Sequence, residues 1–251
     1  MKKRGPAFES VLLRSRLVAA AQEQSGVVTV EAPVGFGKSV YLRQLVEVTG
    51  GFYVGSREDV ASTIALLDCE PSESVLVAVD DASSYADEIM ELAEHDALNT
   101  LVIADRYLTP ELIHLAEQYE HRRLTAHDLR FTESEMQELA EKLAPVSGTH
   151  PPTDGPPDLA ERVAYVVGPA SEGWPEAAVW MLHRSFTSGD PLTIATELSY
   201  PGPDADAFLE LHLAALAEHL KEAVQSLAHF DAFTGSCVDA LIGQDLSLIH
   251  I

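Results

Sequence analysis

Ala32-Pro33-Val34-Gly35-Phe36-Gly37-Lys38-Ser39 stands between a β-branched run, Val27 to Val30, and a helical pattern carried by Val40, Leu42, Leu45 and Val46. A buried strand, a glycine-rich turn and a helix in that order shape an anion cradle. The turn offers backbone N–H donors, and the helix start adds the positive end of its dipole. Gly35 and Gly37 let the chain curl with no Cβ in the way. Lys38 adds a point charge for β and γ phosphates, and the Ser39 hydroxyl is a ligand for Mg²⁺. The expected nucleotide-binding stretch is therefore Pro33, Val34, Gly35, Phe36, Gly37, Lys38, Ser39 and Val40. The strict form of this phosphate loop has Gly where this chain has Ala32. The competing reading is a glycine-rich turn with a chance Lys-Ser pair, but the strand before and the helix after are what the cradle requires.

Further strands follow the first. Val75 to Val79 is a continuous apolar run ending in Asp80-Asp81, the pattern of a central parallel strand. A carboxylate at that end can hold hydrated Mg²⁺, and its neighbour can orient an attacking water. Asp80 suits the first role and Asp81 the second, while a plain alternative makes both of them caps of the next helix. Thr100 to Ala104 reads as another buried strand, ending at Asp105-Arg106. Arg106 there can pair with a γ-phosphate, or it can simply be a surface arginine beside a helix start. Phe52 to Val54 and Arg123 to Ala126 complete the set of strands. Helical patterns cover 10–25, 40–48, 59–67 and 85–94, a further helix opens at Thr109-Pro110-Glu111, and Thr132-x-x-Glu135 has the form of a capping box. Such alternation predicts an α/β fold, a P-loop NTPase parallel sheet with helices on both faces. A stretch rich in Pro, Gly, Ser and Thr follows, and then helical patterns at 158–167, 175–186, 190–198 and 205–228. The expected organisation is a core over 1–150, a linker over 151–157 and a smaller all-helical subdomain over 158–245, cut short. Leu246 to Ile251 matches the translation of a transposase adapter used in DNA library preparation. These six residues are expected to be a sequencing scar, with the natural protein continuing past Asp245.

Charge and cysteine content narrow the function. The 251 residues carry a net charge of −24, which repels nucleic acid phosphates, so no direct nucleic acid binding is expected. Cys69 and Cys237 lie far apart with no CxxC spacing. That argues against a zinc site or a disulfide framework and fits a reducing cytoplasm. No apolar run reaches membrane-span length, and the N-terminus lacks the apolar core of a secretion signal. The ten histidines include no H-E-x-x-H.

Five blocks occur in a telling order: Leu13-Arg14-Ser15-Arg16-Leu17, Glu31 to Ser39, Val79-Asp80-Asp81, Asp128-Leu129-Arg130-Phe131-Thr132-x-x-Glu135, and Glu172-Gly173-Trp174-Pro175. Together they resemble the ATPase module of the MalT-like, LuxR-type large transcriptional regulators, members of the STAND class of signal-transduction NTPases. Ala32 fits that family's phosphate loop better than it fits the generic pattern. The resemblance implies that ATP or ADP sits between the core and the helical subdomain and governs self-association. In the family, sensor repeats and a helix-turn-helix follow. It also implies that Pro175 contacts the adenine, that Arg16 lies near the base or ribose, and that Trp174 packs the subdomain interface. Asp105 stands where the family has a small hydroxyl residue, and its charge would oppose triphosphate binding unless it faces away. The function so implied is an ATP-binding, slowly hydrolysing switch with Lys38, Asp81 and Arg106 as its catalytic groups. The alternatives are a non-hydrolysing nucleotide-binding scaffold, or another P-loop ATPase or kinase.

Overall fold

The computed structural model describes residues 12–69, 75–144, 159–187 and 190–198. The predicted linker, the helix over 205–228 and the last six residues lie outside these. Five strands, β1 (Gly26–Glu31), β2 (Phe52–Val54), β3 (Val75–Asp80), β4 (Leu98–Asp105) and β5 (His121–Thr125), form one sheet in the order β2-β3-β4-β1-β5. Every pairing is parallel. The inner strands β1, β3 and β4 are largely apolar on both faces because both faces are covered, whereas the edge strand β5 is exposed at His121, Arg122 and Arg123. Val77, Val79, Leu101 and Ile103 pack under α3 (Arg57–Cys69), α4 (Ala86–Ala93) and α5 (Pro110–Glu117). Val28, Val30, Ala78, Val102 and Ala104 pack under α1 (Ser15–Gln22) and α2 (Lys38–Thr49). The α/β architecture expected from the alternation is the one observed.

The order of the strands decides where a ligand can enter. β1 leads into α2 on one face, and its neighbour β4 leads into α5 on the other. The chain therefore leaves adjacent strand ends in opposite directions, which opens a crevice at their carboxyl ends. Register brings Glu31 beside Asp105 and Asp80 beside Ala104 at that edge.

A third apolar cluster joins α6 (Glu133–Leu143), α7 (Leu159–Ser171), α8 (Pro175–Thr187) and α9 (Pro191–Leu198) around Met136, Leu139, Val163, Val167, Met181 and Leu182. The described residues fall in one compact unit that includes both the sheet and these helices. The helix expected from residue 10 to 25 is shorter. Residues 12–14 are not helical, because the Arg14 backbone N–H bonds Gln44 Oε1 at 3.3 Å and its guanidinium reaches Arg130 O at 2.8 Å. A 3-10 turn, Ala82–Tyr85, precedes α4. No described helix is long and apolar enough to cross a membrane.

Candidate nucleotide site

Loop 32–37 turns sharply between β1 and α2. Gly35 and Gly37 have φ of 83° and 78°, the left-handed region that favours glycine. Gly37 is the N-cap of α2 and Lys38 its first residue, so the unpaired N–H groups of the first turn open toward the loop. The Lys38 ammonium donates to two carbonyls of its own loop, Ala32 O at 2.5 Å and Pro33 O at 3.0 Å. Burial pushes its pKa below the ordinary lysine value; the carboxylates of Asp80 and Asp105 oppose the shift, and Arg106 adds to it. Asp80, Asp81, Asp105 and Arg106 at the strand ends thus all bear on the Lys38 ammonium. Ser39 and Val40 follow in the first turn of α2, half-buried, while Pro33 and Val34 are exposed.

Asp80 closes β3. Its Oδ2 accepts the Tyr53 hydroxyl at 2.9 Å, and its Oδ1 accepts the Asp81 N–H at 3.2 Å. Burial, together with the hydrogen bond and charge of Asp80, pushes the Tyr53 hydroxyl pKa up. Asp81 is exposed with φ 54°, and its carboxylate accepts the Ser84 hydroxyl at 2.9 Å. Asp105 is 8% exposed. Its two oxygens accept the N–H groups of Ser83, at 2.8 Å, and Arg106, at 2.5 Å. That carboxylate is thereby tied to two backbone segments, with its charge still close enough to act on Lys38. Among the described residues, no group of three or more His, Cys, Asp or Glu stands together as a metal cage.

The turn between α7 and α8 lies on the phosphate loop. Glu176 N–H donates to Gly35 O at 3.1 Å, and Trp174 stacks on Phe36 with ring centroids 6.3 Å apart. Pro175, buried in the first turn of α8, is between them in sequence. The same turn meets the loop before α6, where Phe131 N–H donates to Gly173 O at 2.8 Å. Arg16 is tied to the loop before α6. Its guanidinium donates to Asp128 O at 2.7 Å, Arg130 O at 2.5 Å and both Glu135 oxygens at 3.1 and 3.2 Å. It clamps the loop that carries Phe131. Sequence reasoning missed Tyr53, Tyr85, Glu176 and this clamp. Each depends on pairing between distant segments, and no local pattern signals it.

A cavity of about 950 Å³ opens elsewhere, lined by Phe131, Met136, Tyr165, Pro169 and Leu192 among others. It shares Arg16 with the predicted set and none of residues 33–40. The strand-end geometry, where the lysine and acids meet, is the better guide to the chemistry.

No known protein family matches this sequence, and no curated protein does. Solved structures do match in shape. The Thermotoga maritima RuvB Holliday junction branch migration motor superposes with a TM-score of 0.53 at 15% identity, covering 99% of this chain and 88% of that one. The chain has the α/β fold of a P-loop NTPase, a parallel sheet with helices on both faces. A point mutant of the same RuvB matches with a TM-score of 0.53 at 15% identity, over 95% of this chain and 83% of that one. A Pyrococcus horikoshii STAND protein with a tetratricopeptide repeat sensor matches with a TM-score of 0.46 at 13% identity, over 94% of this chain and 38% of that one.

Proposed function

We propose that this chain is the ATP-binding, slowly hydrolysing signal-transduction module of a bacterial transcriptional regulator of the MalT-like, LuxR-type kind. In this reading ATP binds with Mg²⁺, and nucleotide state sets self-association. The observation that carries it is the glycine-turned loop with Lys38 at the carboxyl edge of a parallel sheet, within electrostatic reach of the acids at the ends of β3 and β4.

Mg²⁺, when bound with ATP, would supply charge neutralisation at the phosphates. The Ser39 hydroxyl and the Asp80 carboxylate, both oxygen donors of the kind this hard cation takes, would be the residues that hold it. Lys38 exchanges the carbonyls of Ala32 and Pro33 for phosphate oxygens and stabilises the charge that develops as the γ-phosphoryl group leaves. Asp81 accepts a hydrogen bond from the attacking water and orients it in line, and Arg106 meets the γ-phosphoryl charge. Pro175 and Arg16 frame the base end. Trp174 against Phe36 couples loop and helices, so phosphate contacts at the loop reach α8.

A second reading, a scaffold that binds without hydrolysing, is favoured by Asp105. A buried carboxylate acting on Lys38 weakens the local positive field that a triphosphate needs. A single-turnover assay with radiolabelled ATP on the full chain separates the two. Slow phosphate release, slowed further in Asp81→Asn while ATP affinity is kept, supports hydrolysis. ATP recovered intact after long incubation supports the scaffold, and an unchanged rate in Asp81→Asn removes Asp81 from the mechanism.

A further inference from the structure

We infer that Tyr53 and Tyr85 form a brace that positions Asp80 for a metal ion, and that the Tyr53 hydroxyl sets how strongly nucleotide binding depends on Mg²⁺. This inference rests on the nucleotide reading above and assigns it two positioning residues.

The brace follows from strand register. Tyr53 pairs with Ala78. Side chains alternate along a strand, so Ala78 and Asp80 share one face of β3. That face is the one covered by α2, and Tyr53 packs against the same cluster. The ring runs along the sheet toward the strand end, and its hydroxyl meets Asp80 Oδ2 at 2.9 Å. Asp80 Oδ1 takes the Asp81 N–H at 3.2 Å. Both oxygens therefore have a fixed donor. Tyr85 comes from the opposite side. It packs in the cluster under α3, α4 and α5, and its hydroxyl donates to the main-chain carbonyl of Asp80. One tyrosine holds the carboxylate and the other holds the peptide behind it. Arg43 on α2 lies over the Tyr53 ring at 5.3 Å, so the helix that begins with Lys38 also covers the brace.

Packing alone does not account for the hydroxyls. Phenylalanine would fill the same space at either position, and β2 is a three-residue edge strand on which Tyr53 is half-buried. What the oxygen adds is a donor at a carboxylate that grips hydrated metal. Outer-shell donors of this kind fix the orientation of a ligand and tune its basicity, and their loss typically weakens metal affinity by about 10–100-fold.

The test is a Mg²⁺ titration of ATP binding by the full chain, followed by calorimetry, with a parallel measurement in EDTA. Tyr53→Phe is expected to raise the Mg²⁺ midpoint by about tenfold and to leave ATP affinity in EDTA as in the wild type. Tyr85→Phe is expected to move the midpoint the same way by less, and it carries the test should Tyr53→Phe lose its fold. Tyr119→Phe is the control. Its hydroxyl bonds Ala93 O at 3.2 Å, and it sits just before β5, at the opposite end of the parallel strands. A midpoint that stays put in both brace variants overturns the inference. So does an EDTA affinity that falls by the same factor, since that would mark a structural role. Wild-type protein that binds no ATP at any Mg²⁺ concentration overturns the nucleotide reading itself, a result distinct from either.

Discussion

Lys38 sits where a truncation separates ligand binding from folding. Its ammonium bonds two carbonyls of its own loop and is half-buried at the crevice, outside the three apolar clusters. Lys38→Ala should weaken ATP binding by about a hundredfold, since a charge-assisted hydrogen bond contributes up to about 3 kcal/mol. The thermal midpoint should stay within a few degrees of wild type. Retained wild-type affinity in calorimetry would count against the lysine. Gly35 behaves in the opposite way. Its φ is 83°, and a Cβ there would collide with Glu176 Oε2 and stand 2.7 Å from the Trp174 indole nitrogen. Gly35→Ala should cost about 1–3 kcal/mol in backbone strain alone and push the α7–α8 turn off the loop. Denaturant unfolding would register the first effect and a change in Trp174 fluorescence the second. The sequence named both residues through their motif. It could not say that Glu176 and Trp174 close over Gly35, because those residues arrive from the α7–α8 turn and the start of α8.

At the level of elements, α6 shows how a local signal acquires a distant role. Thr132 accepts the Glu135 N–H at 3.2 Å, and Glu135 accepts the Thr132 N–H at 2.9 Å, the capping box that Thr132-x-x-Glu135 predicts. The same Glu135 carboxylate also receives Arg16, and Arg14 lies 3.6 Å away. Burial pushes the Glu135 pKa up, but the Thr132 hydrogen bond and the charges of Arg14 and Arg16 outweigh it, and the net shift is downward. A carboxylate with a lowered folded pKa adds stability above the ordinary glutamate value of about 4.3. That stability is lost as pH falls through the lower folded value. Glu135→Gln should therefore cost about 1–3 kcal/mol at neutral pH, and the gap to wild type should narrow as pH drops below about 4.3. A gap that is constant with pH in urea titrations would show that the charge is irrelevant. The spacing of Thr132 and Glu135 made the cap legible in the sequence, whereas the arginines lie more than a hundred positions upstream and no periodicity connects them.

For the molecule as a whole, a net charge of −24 over 251 residues is a standing repulsion within the compact state. Raising NaCl from about 0.01 to about 0.1 M shortens the Debye length from about 30 to about 10 Å. The thermal midpoint should rise with it, by several degrees, and a flat or falling midpoint in calorimetric scans would contradict this. The alternation of apolar strands and amphipathic helices was enough to read a two-sided parallel sheet, because a strand buried on both faces must be apolar at every position. The loop, its lysine and the paired acids at a strand end were legible for the same reason: each is a short segment whose chemistry is local. Strand order was not. Placing β4 between β1 and β3 puts Asp105 beside Glu31 and ties its carboxylate to the amide of Ser83. Seating β2 at the edge gives Asp80 its tyrosine. Such partners are set by which segments lie side by side in three dimensions, and adjacency of that kind depends on packing over the entire sheet, which neither composition nor spacing along a single chain encodes locally.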